Sequence, residues 1–212
     1  MIKENHSVAA YFPEITEDQI AKLHHYVEVL LETNETLNLI SRKNTDQVWE
    51  NHIIHALSIL KLDAFRPGNK ILDFGTGGGL PGVPLAICNP DCDFLLVDSI
   101  GKKVKAVQRM VEEIGLTNVR TRHCRVEEIK ETFDFSVSRA VTSFDKMDDW
   151  LKGKIRPGKE SDIEHGFIYI KGGDFEEDLL ELDRRFKVWR MSDWFSEPFF
   201  ETKKLVWVET GS

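Results

Sequence analysis

The sequence predicts an α/β protein: a mostly parallel sheet with an antiparallel C-terminal strand, preceded by an N-terminal helical extension. Three observations carry this expectation. Before position 70, Ile20, Leu23, Val27, Leu30, Leu31 and Leu37 recur at helical spacing. From Lys70 onward, short apolar runs alternate with helical patterns, as parallel strands joined by crossover helices require. Between the two regimes lies Ile71-Leu72-Asp73-Phe74-Gly75-Thr76-Gly77-Gly78-Gly79-Leu80-Pro81-Gly82, an apolar strand that runs into an acid, a series of glycines and a helix start.

Thr16 followed by Gln19 makes a capping box for the first helix, which ends at the Asn38-Leu39-Ile40-Ser41 turn. A second helix is expected from near Asp46 to Leu62, with Val48, Trp49, Ile53, Leu57 and Leu60 inward. His52 and His55, three apart, share a face of it, and no third ligand lies nearby to make a metal site. Residues 1–66 form the extension and 67–212 one compact unit. Within that unit, Phe94 to Asp98 is the second strand, Lys102 to Ile114 a helix stopped by Gly115, Asn118 to Thr121 the third strand and Phe133 to Ser138 the fourth. Gly153, Pro157 and Gly158 mark Lys152 to Gly166 as a mobile loop. Phe167 to Ile170, an acidic helix from Asp174 to Arg184, and closing strands at Phe186 to Met191 and Lys204 to Val208 complete the chain.

A chain of 212 residues, 41% hydrophobic and 30% charged, buries one sizeable core. Met1 to Ala10 carries Lys3, Glu4 and His6 without an apolar leader core, and nowhere do 18 uncharged apolar residues run together; a cytoplasmic, non-membrane protein is expected. Cys88, Cys92 and Cys124 form no C-x-x-C pair, so packing roles are expected rather than disulfides or zinc. The net charge of −8 opposes phosphate binding, but charge is segregated. Gly101 to Arg125 holds seven bases (Lys102, Lys103, Lys105, Arg109, Arg120, Arg122, Arg125) against Glu112 and Glu113, a local +5, whereas Asp174 to Asp183 holds six acids and no base.

The glycine run does not fit the dinucleotide fingerprint G-x-G-x-x-G, which counted from Gly75 needs glycine where Leu80 stands. Its acid-x-Gly-x-Gly-x-Gly order resembles motif I of class I S-adenosylmethionine (SAM) methyltransferases. That resemblance implies that Asp73, Gly75 and Gly77 receive the amino-acid and ribose parts of the cofactor. Asp98 ends the second strand 23 residues beyond Gly75, where a carboxylate suits both ribose hydroxyls or caps the next helix. An acid just beyond the third strand, in Val126-Glu127-Glu128, either faces the adenine or starts a solvated helix. Arg139, at the end of the fourth strand, points toward the reaction zone or is a surface charge.

The motifs in order resemble one family over most of the chain, the bacterial small-subunit ribosomal RNA methyltransferase G, or glucose-inhibited division protein B. The resemblance rests on Asn38-Leu39, His52, Asp73-x-Gly-Thr-Gly-x-Gly-Leu-Pro-Gly-x-Pro-Leu-Ala, Asp98-Ser99-x-Gly-Lys-Lys, Arg125-Val126-Glu127, Ser138-Arg139-Ala140 and Lys171-Gly172. It implies SAM-dependent methylation of guanine N7 in 16S rRNA near the decoding region. Gly75, Leu80, Val126, Glu127 and Arg139 fall on cofactor-contact positions and Lys171 on a basic position near the RNA. Lys102, Lys103, Arg122 and Arg125 of the basic stretch, with His52, complete the expected RNA contacts. Gly78 departs from a frequent proline, Asn51 from a frequent base and His55 from a common aspartate. The expected partner is 16S rRNA or the small ribosomal subunit, met by a monomer. Guanine N7 carries a free lone pair, so no catalytic base is assigned. Consistently, the chain lacks an Asn-Pro-Pro-Tyr-like tetrapeptide and a cysteine that follows proline. The alternatives are a class I methyltransferase acting on another base or a small molecule, a ribosome-assembly protein without turnover, and a nicotinamide oxidoreductase.

Overall fold

The computed structural model describes residues 6–41, 47–139 and 143–210. Helices α1 (His6–Tyr11) and α2 (Glu17–Leu37) precede a seven-stranded sheet of order β3-β2-β1-β4-β5-β7-β6. Its strands are β1 (Lys70–Phe74), β2 (Asp93–Asp98), β3 (Val119–His123), β4 (Phe135–Arg139), β5 (Gly166–Gly172), β6 (Phe186–Arg190) and β7 (Lys203–Val208). The first five are parallel, and β7 is antiparallel to both β5 and β6. The order reverses between β1 and β4, so the carboxyl ends of those strands open onto a crevice suited to a ligand.

Two apolar layers flank the sheet. One packs Phe94, Leu96, Val137 and Ile168 against α4 (Gly82–Cys88) and α5 (Gly101–Ile114). The other packs Phe74, Phe167 and Tyr169 against α6 (Phe144–Leu151) and α7 (Glu176–Leu180). The helical extension belongs to the first layer: Leu23, Tyr26, Leu30, Ile53 and Leu57 join the same cluster as Val83 and Met110. The Thr16 box forms, with Gln19 N–H donating to Thr16 Oγ1 at 3.3 Å and Thr16 N–H to Gln19 Oε1 at 2.9 Å. No helix among the described residues is long and apolar enough to cross a membrane.

Three elements differ from expectation. The second helix, whose start lies outside the described residues, is not uniform: a π-helical turn at Trp49–Ile54 leads into α3 (His55–Leu57) and then a 3-10 turn at Ser58–Leu62. Asn51 through Ile59 is buried on every side, so this segment is an inner strut rather than an amphipathic surface helix. The acidic helix shrinks to α7, Glu176–Leu180; of that stretch Phe175 and Leu179 are buried in the core and Leu182 packs partly buried against it. The segment 152–166 is fastened instead of loose. Arg156 pairs with the fully buried Asp134, which also accepts from Lys70 N–H at 2.7 Å, and His165 N–H donates to Gly158 O at 2.9 Å.

The extension also grips the glycine loop, since the buried Tyr26 hydroxyl donates to Gly78 O at 2.8 Å. Tyr26→Phe removes this bond without changing the packing, and is expected to lower stability by about 1 kcal/mol. Cofactor affinity, measured by calorimetry, is expected to fall with it. Unchanged affinity would show that the loop holds its shape without the extension.

Candidate functional site

The glycine loop is built around one carboxylate. Asp73, fully buried at the end of β1, accepts with Oδ2 from Thr76 Oγ1 at 2.6 Å and from Gly82 N–H at 2.9 Å. Its Oδ1 is buried and has no partner among the described residues. A Cβ on Gly82 would lie 2.5 Å from Asp73 Oδ2 and 2.9 Å from Leu96 Cγ, so only glycine lets the α4 backbone approach this acid. Gly77, at φ +59°, turns its N–H to Asp98 Oδ2 at 3.0 Å. Leu80 packs inside, 3% exposed, with its N–H on Thr76 O. At Gly78 an added Cβ would meet Leu30 Cδ1 at 3.0 Å and Leu39 Cβ at 3.2 Å, so the extension closes over the loop there.

Beside the loop lies a cleft of about 110 Å³, open to solvent and lined by Phe74, Gly75, Val97, Asp98, Ser99, Cys124, Arg125, Val126, Glu127 and Trp150. Four expected cofactor residues, Gly75, Asp98, Val126 and Glu127, meet here. Asp98 does not cap α5: its Oδ1 accepts from Ile100 N–H at 2.9 Å, ahead of the helix, while Oδ2 holds Gly77. The carboxylate thereby ties the glycine loop to the end of β2. Trp150 enters from α6, edge-on to Phe74 at 6.4 Å between ring centres, and was not legible from local sequence because α6 meets β1 only in the fold. Asp73, Leu80 and Arg139 are not part of the cleft wall.

Arg139 ends β4, with the preceding residue fixed by Ser138 Oγ donating to Phe74 O at 2.9 Å. Its guanidinium is half-buried and bonds Asn51 O at 3.4 Å and His52 Nδ1 at 2.9 Å. Burial draws its pKa below the ordinary arginine value, opposed by Tyr26 and Asp73 nearby. His52, expected among the RNA contacts, is only 6% exposed. Burial, and then the Arg139 charge, push its pKa down to about 3. His55 is buried too, edge-on to Phe199 at 5.1 Å, and burial holds it neutral.

The basic residues divide. Lys102 and Arg125 are exposed and Lys103 partly so, all near the carboxyl ends of β2 and β3. Arg122, with Arg120, is instead held by Glu131, at 2.6 and 3.0 Å, on the outer edge of β3. Lys171 Nζ lies 4.5 Å from the Phe144 ring centre and 3.9 Å from Asp178 Oδ2. Register adds two cations that local reading missed: Lys171 is opposite Lys204, which is opposite Arg190, so one basic row crosses three strands on a single face of the sheet. Among the described residues no cluster of three or more His, Cys, Asp or Glu side chains could hold a metal ion.

Burial raises the Asp73 pKa from 3.8 to about 7, despite the Thr76 and Gly82 bonds that favour its charged form. The folded protein therefore holds this proton more tightly than the unfolded chain does. The contribution favours folding fully below about pH 4 and is lost as pH rises through about 7, at about 1.4 kcal/mol for each tenfold difference in proton affinity. Asp73→Asn lacks it. Urea unfolding across this range is expected to show the stability difference moving against wild type up to neutral pH and flat above. A pH-independent difference would mean that Asp73 titrates normally.

The family described as rRNA small subunit methyltransferase G matches residues 19–205. Among curated relatives, the ribosomal RNA small subunit methyltransferase G of Christiangramia forsetii is 46% identical over 198 residues, covering 93% of each chain. That of Cytophaga hutchinsonii is 42% identical, covering 95% of this chain and 97% of its own. Among solved structures, a SAM-dependent methyltransferase from Aquifex aeolicus superposes with a TM-score of 0.55 at 18% identity, covering 76% of this chain and 92% of its own. A SAM-dependent O-methyltransferase from Thermotoga maritima gives 0.56 at 15%, covering 75% and 65%. The two structures share the sheet architecture; the sequence relatives share nearly the whole length. The chain belongs to the rRNA small subunit methyltransferase G family.

Proposed function

We propose that this protein is a SAM-dependent methyltransferase that methylates guanine N7 in 16S rRNA, near the decoding region. The observation that carries the cofactor half is the joining of the glycine loop to Asp98 beside a cleft lined by Phe74, Val97, Val126 and Trp150 together with Glu127. These residues fit a sulfonium nucleoside, which brings a ribose diol, a flat purine and no pyrophosphate. Asp98 would accept the ribose hydroxyls, Phe74, Val126 and Trp150 would flank the purine, and Glu127 would face its polar edge. Gly75 and Gly77 keep the backbone low enough for close approach, with Asp73 and Leu80 shaping the loop. Arg139 supplies a cation on the loop side, suited to the amino-acid carboxylate.

When bound, SAM supplies a methyl group made electrophilic by its sulfonium sulfur. Guanine N7 presents a lone pair at neutral pH, so the chain has only to align the reactants at about 3–3.5 Å and exclude water. No residue is needed to remove a proton. The titratable groups nearby agree with such a reaction, since burial holds His52 and His55 neutral and pushes the Cys124 thiol up. Bidentate arginine recognition of O6 and N7 would block the nucleophile, so the base is recognised at its Watson–Crick edge and by stacking. The test is to map 7-methylguanine in rRNA from cells with and without the gene, then to offer RNA carrying 7-deazaguanine at the mapped position. Loss of the mark without the gene, and no methyl transfer to the deaza substrate, are expected. Transfer to a different base or atom would overturn the assignment.

The RNA half rests on the rim of the same crevice, with Lys102, Lys103 and Arg125 on one side and the Lys171, Lys204 and Arg190 row on the other. Charge reversal of Lys102 and Lys103 is expected to weaken RNA binding and leave SAM binding unchanged. Each lost phosphate contact is expected to flatten the log–log salt dependence by about 0.7–0.9. An unaltered slope would place the RNA elsewhere.

A further inference from the structure

His52 is a buried polar side chain that the reaction does not use, and its bond with Arg139 admits one arrangement. A guanidinium has donors only. The 2.9 Å contact between Arg139 Nη1 and His52 Nδ1 therefore makes Nδ1 the acceptor, and the neutral ring carries its proton on Nε2. The other bond from Nη1 goes to the Asn51 carbonyl, at 3.4 Å. Both acceptors lie on the π-helical turn Trp49–Ile54, and both are uncharged. A carboxylate in their place would fix the same guanidinium but cancel its charge. Two neutral acceptors fix it and leave the charge available.

The available charge sits on the glycine-loop side, since Arg139 is close enough to Tyr26 and Asp73 to feel both, and Tyr26 bonds the loop at Gly78. The nucleoside cleft is lined by Asp98 and Glu127, and neither Arg139 nor Asp73 is part of that lining. The cofactor carries one anionic group, the carboxylate of its amino-acid end. We infer that His52 is a positioning residue: as the neutral Nε2–H tautomer it holds Arg139 aimed at that carboxylate, without neutralising it. The inference rests on Arg139 as a cofactor contact, and replaces the RNA contact expected of His52.

The test compares S-adenosylhomocysteine with its decarboxylated analogue in calorimetric titrations of the full chain. Wild type is expected to prefer the carboxylate form by about 10–150-fold, the range of a hydrogen bond to a charged group. Arg139→Met is expected to erase the preference. His52→Leu fills the space without an acceptor and is expected to cut the preference at least fivefold, with no further loss when added to Arg139→Met; His52→Gln, whose amide oxygen can accept, is expected to restore much of it. A merely structural role would move affinity for both ligands alike. If Arg139→Met keeps the preference, the cofactor reading of Arg139 fails; if it erases the preference while His52→Leu retains it, His52 is not the positioner. Nitrogen NMR of wild type decides the same point without a variant: Nδ1 bare, Nε2 protonated and no titration between about pH 5 and 8 are expected. A proton on Nδ1, or titration in that window, overturns the inference.

Discussion

A buried carboxylate beneath a glycine loop is the constraint on which the rest depends. Asp73 is shut off from bulk solvent, and among the described residues its bonds from Thr76 and Gly82 are what compensates Oδ2. A partly satisfied buried acid is costly, so the backbone around it is held to the few conformations that reach it. Gly82 must lack a side chain to approach, and the chain between Thr76 and Gly82 must fold back in a tight turn. That turn presents Gly77 N–H to Asp98, and Asp98 in turn anchors Ile100 at the mouth of α5. One acid thus shapes the loop and a second ties it to the neighbouring strand, at the wall of the cleft.

What was legible in the sequence follows from this. The Asp73 loop, the Asp98 strand end and the Thr16 capping box are contacts between residues close in the chain or at strand ends, and local pattern revealed them. The register of β5, β7 and β6 is different. Lys171, Lys204 and Arg190 are far apart in sequence, and only the antiparallel pairing aligns them. Trp150 reaches the cleft because α6 packs on β1's face, and Tyr26 reaches Gly78 because α2 crosses the loop. Both have the ordinary spacing of core residues on their own helices. The Arg122 ion pair was hidden for a related reason: its partner Glu131 lies outside the basic stretch whose charge was summed.

The His52 segment shows how periodicity misleads when burial is complete. Apolar spacing over Val48 to Leu60 suggested a helix with an outward polar face, but the fold closes on both sides, with Trp49 against His24 of α2 and His55 against Phe199 and Phe200. Polar side chains in such a segment cannot rest in water. They need partners inside, and the π turn brings Asn51 O and His52 Nδ1 to the same guanidinium. Irregular helical turns of this kind recur where a chain must present several groups to one point.

The extension is therefore packed into the candidate site. The sheet alone supplies Asp73, Asp98 and Arg139, but Tyr26 bonds the loop, Leu30 and Leu39 lie against Gly78, and Asn51 and His52 accept from the arginine. Those contacts are made by neutral groups, which matters in a protein of net charge −8 that binds a cationic cofactor and an anionic polymer. Carboxylates in these roles would cancel the few cations near the crevice and repel phosphate. Neutral supports let the acidic total reside elsewhere, chiefly from Asp174 to Asp183, while the cations at the strand ends keep their field.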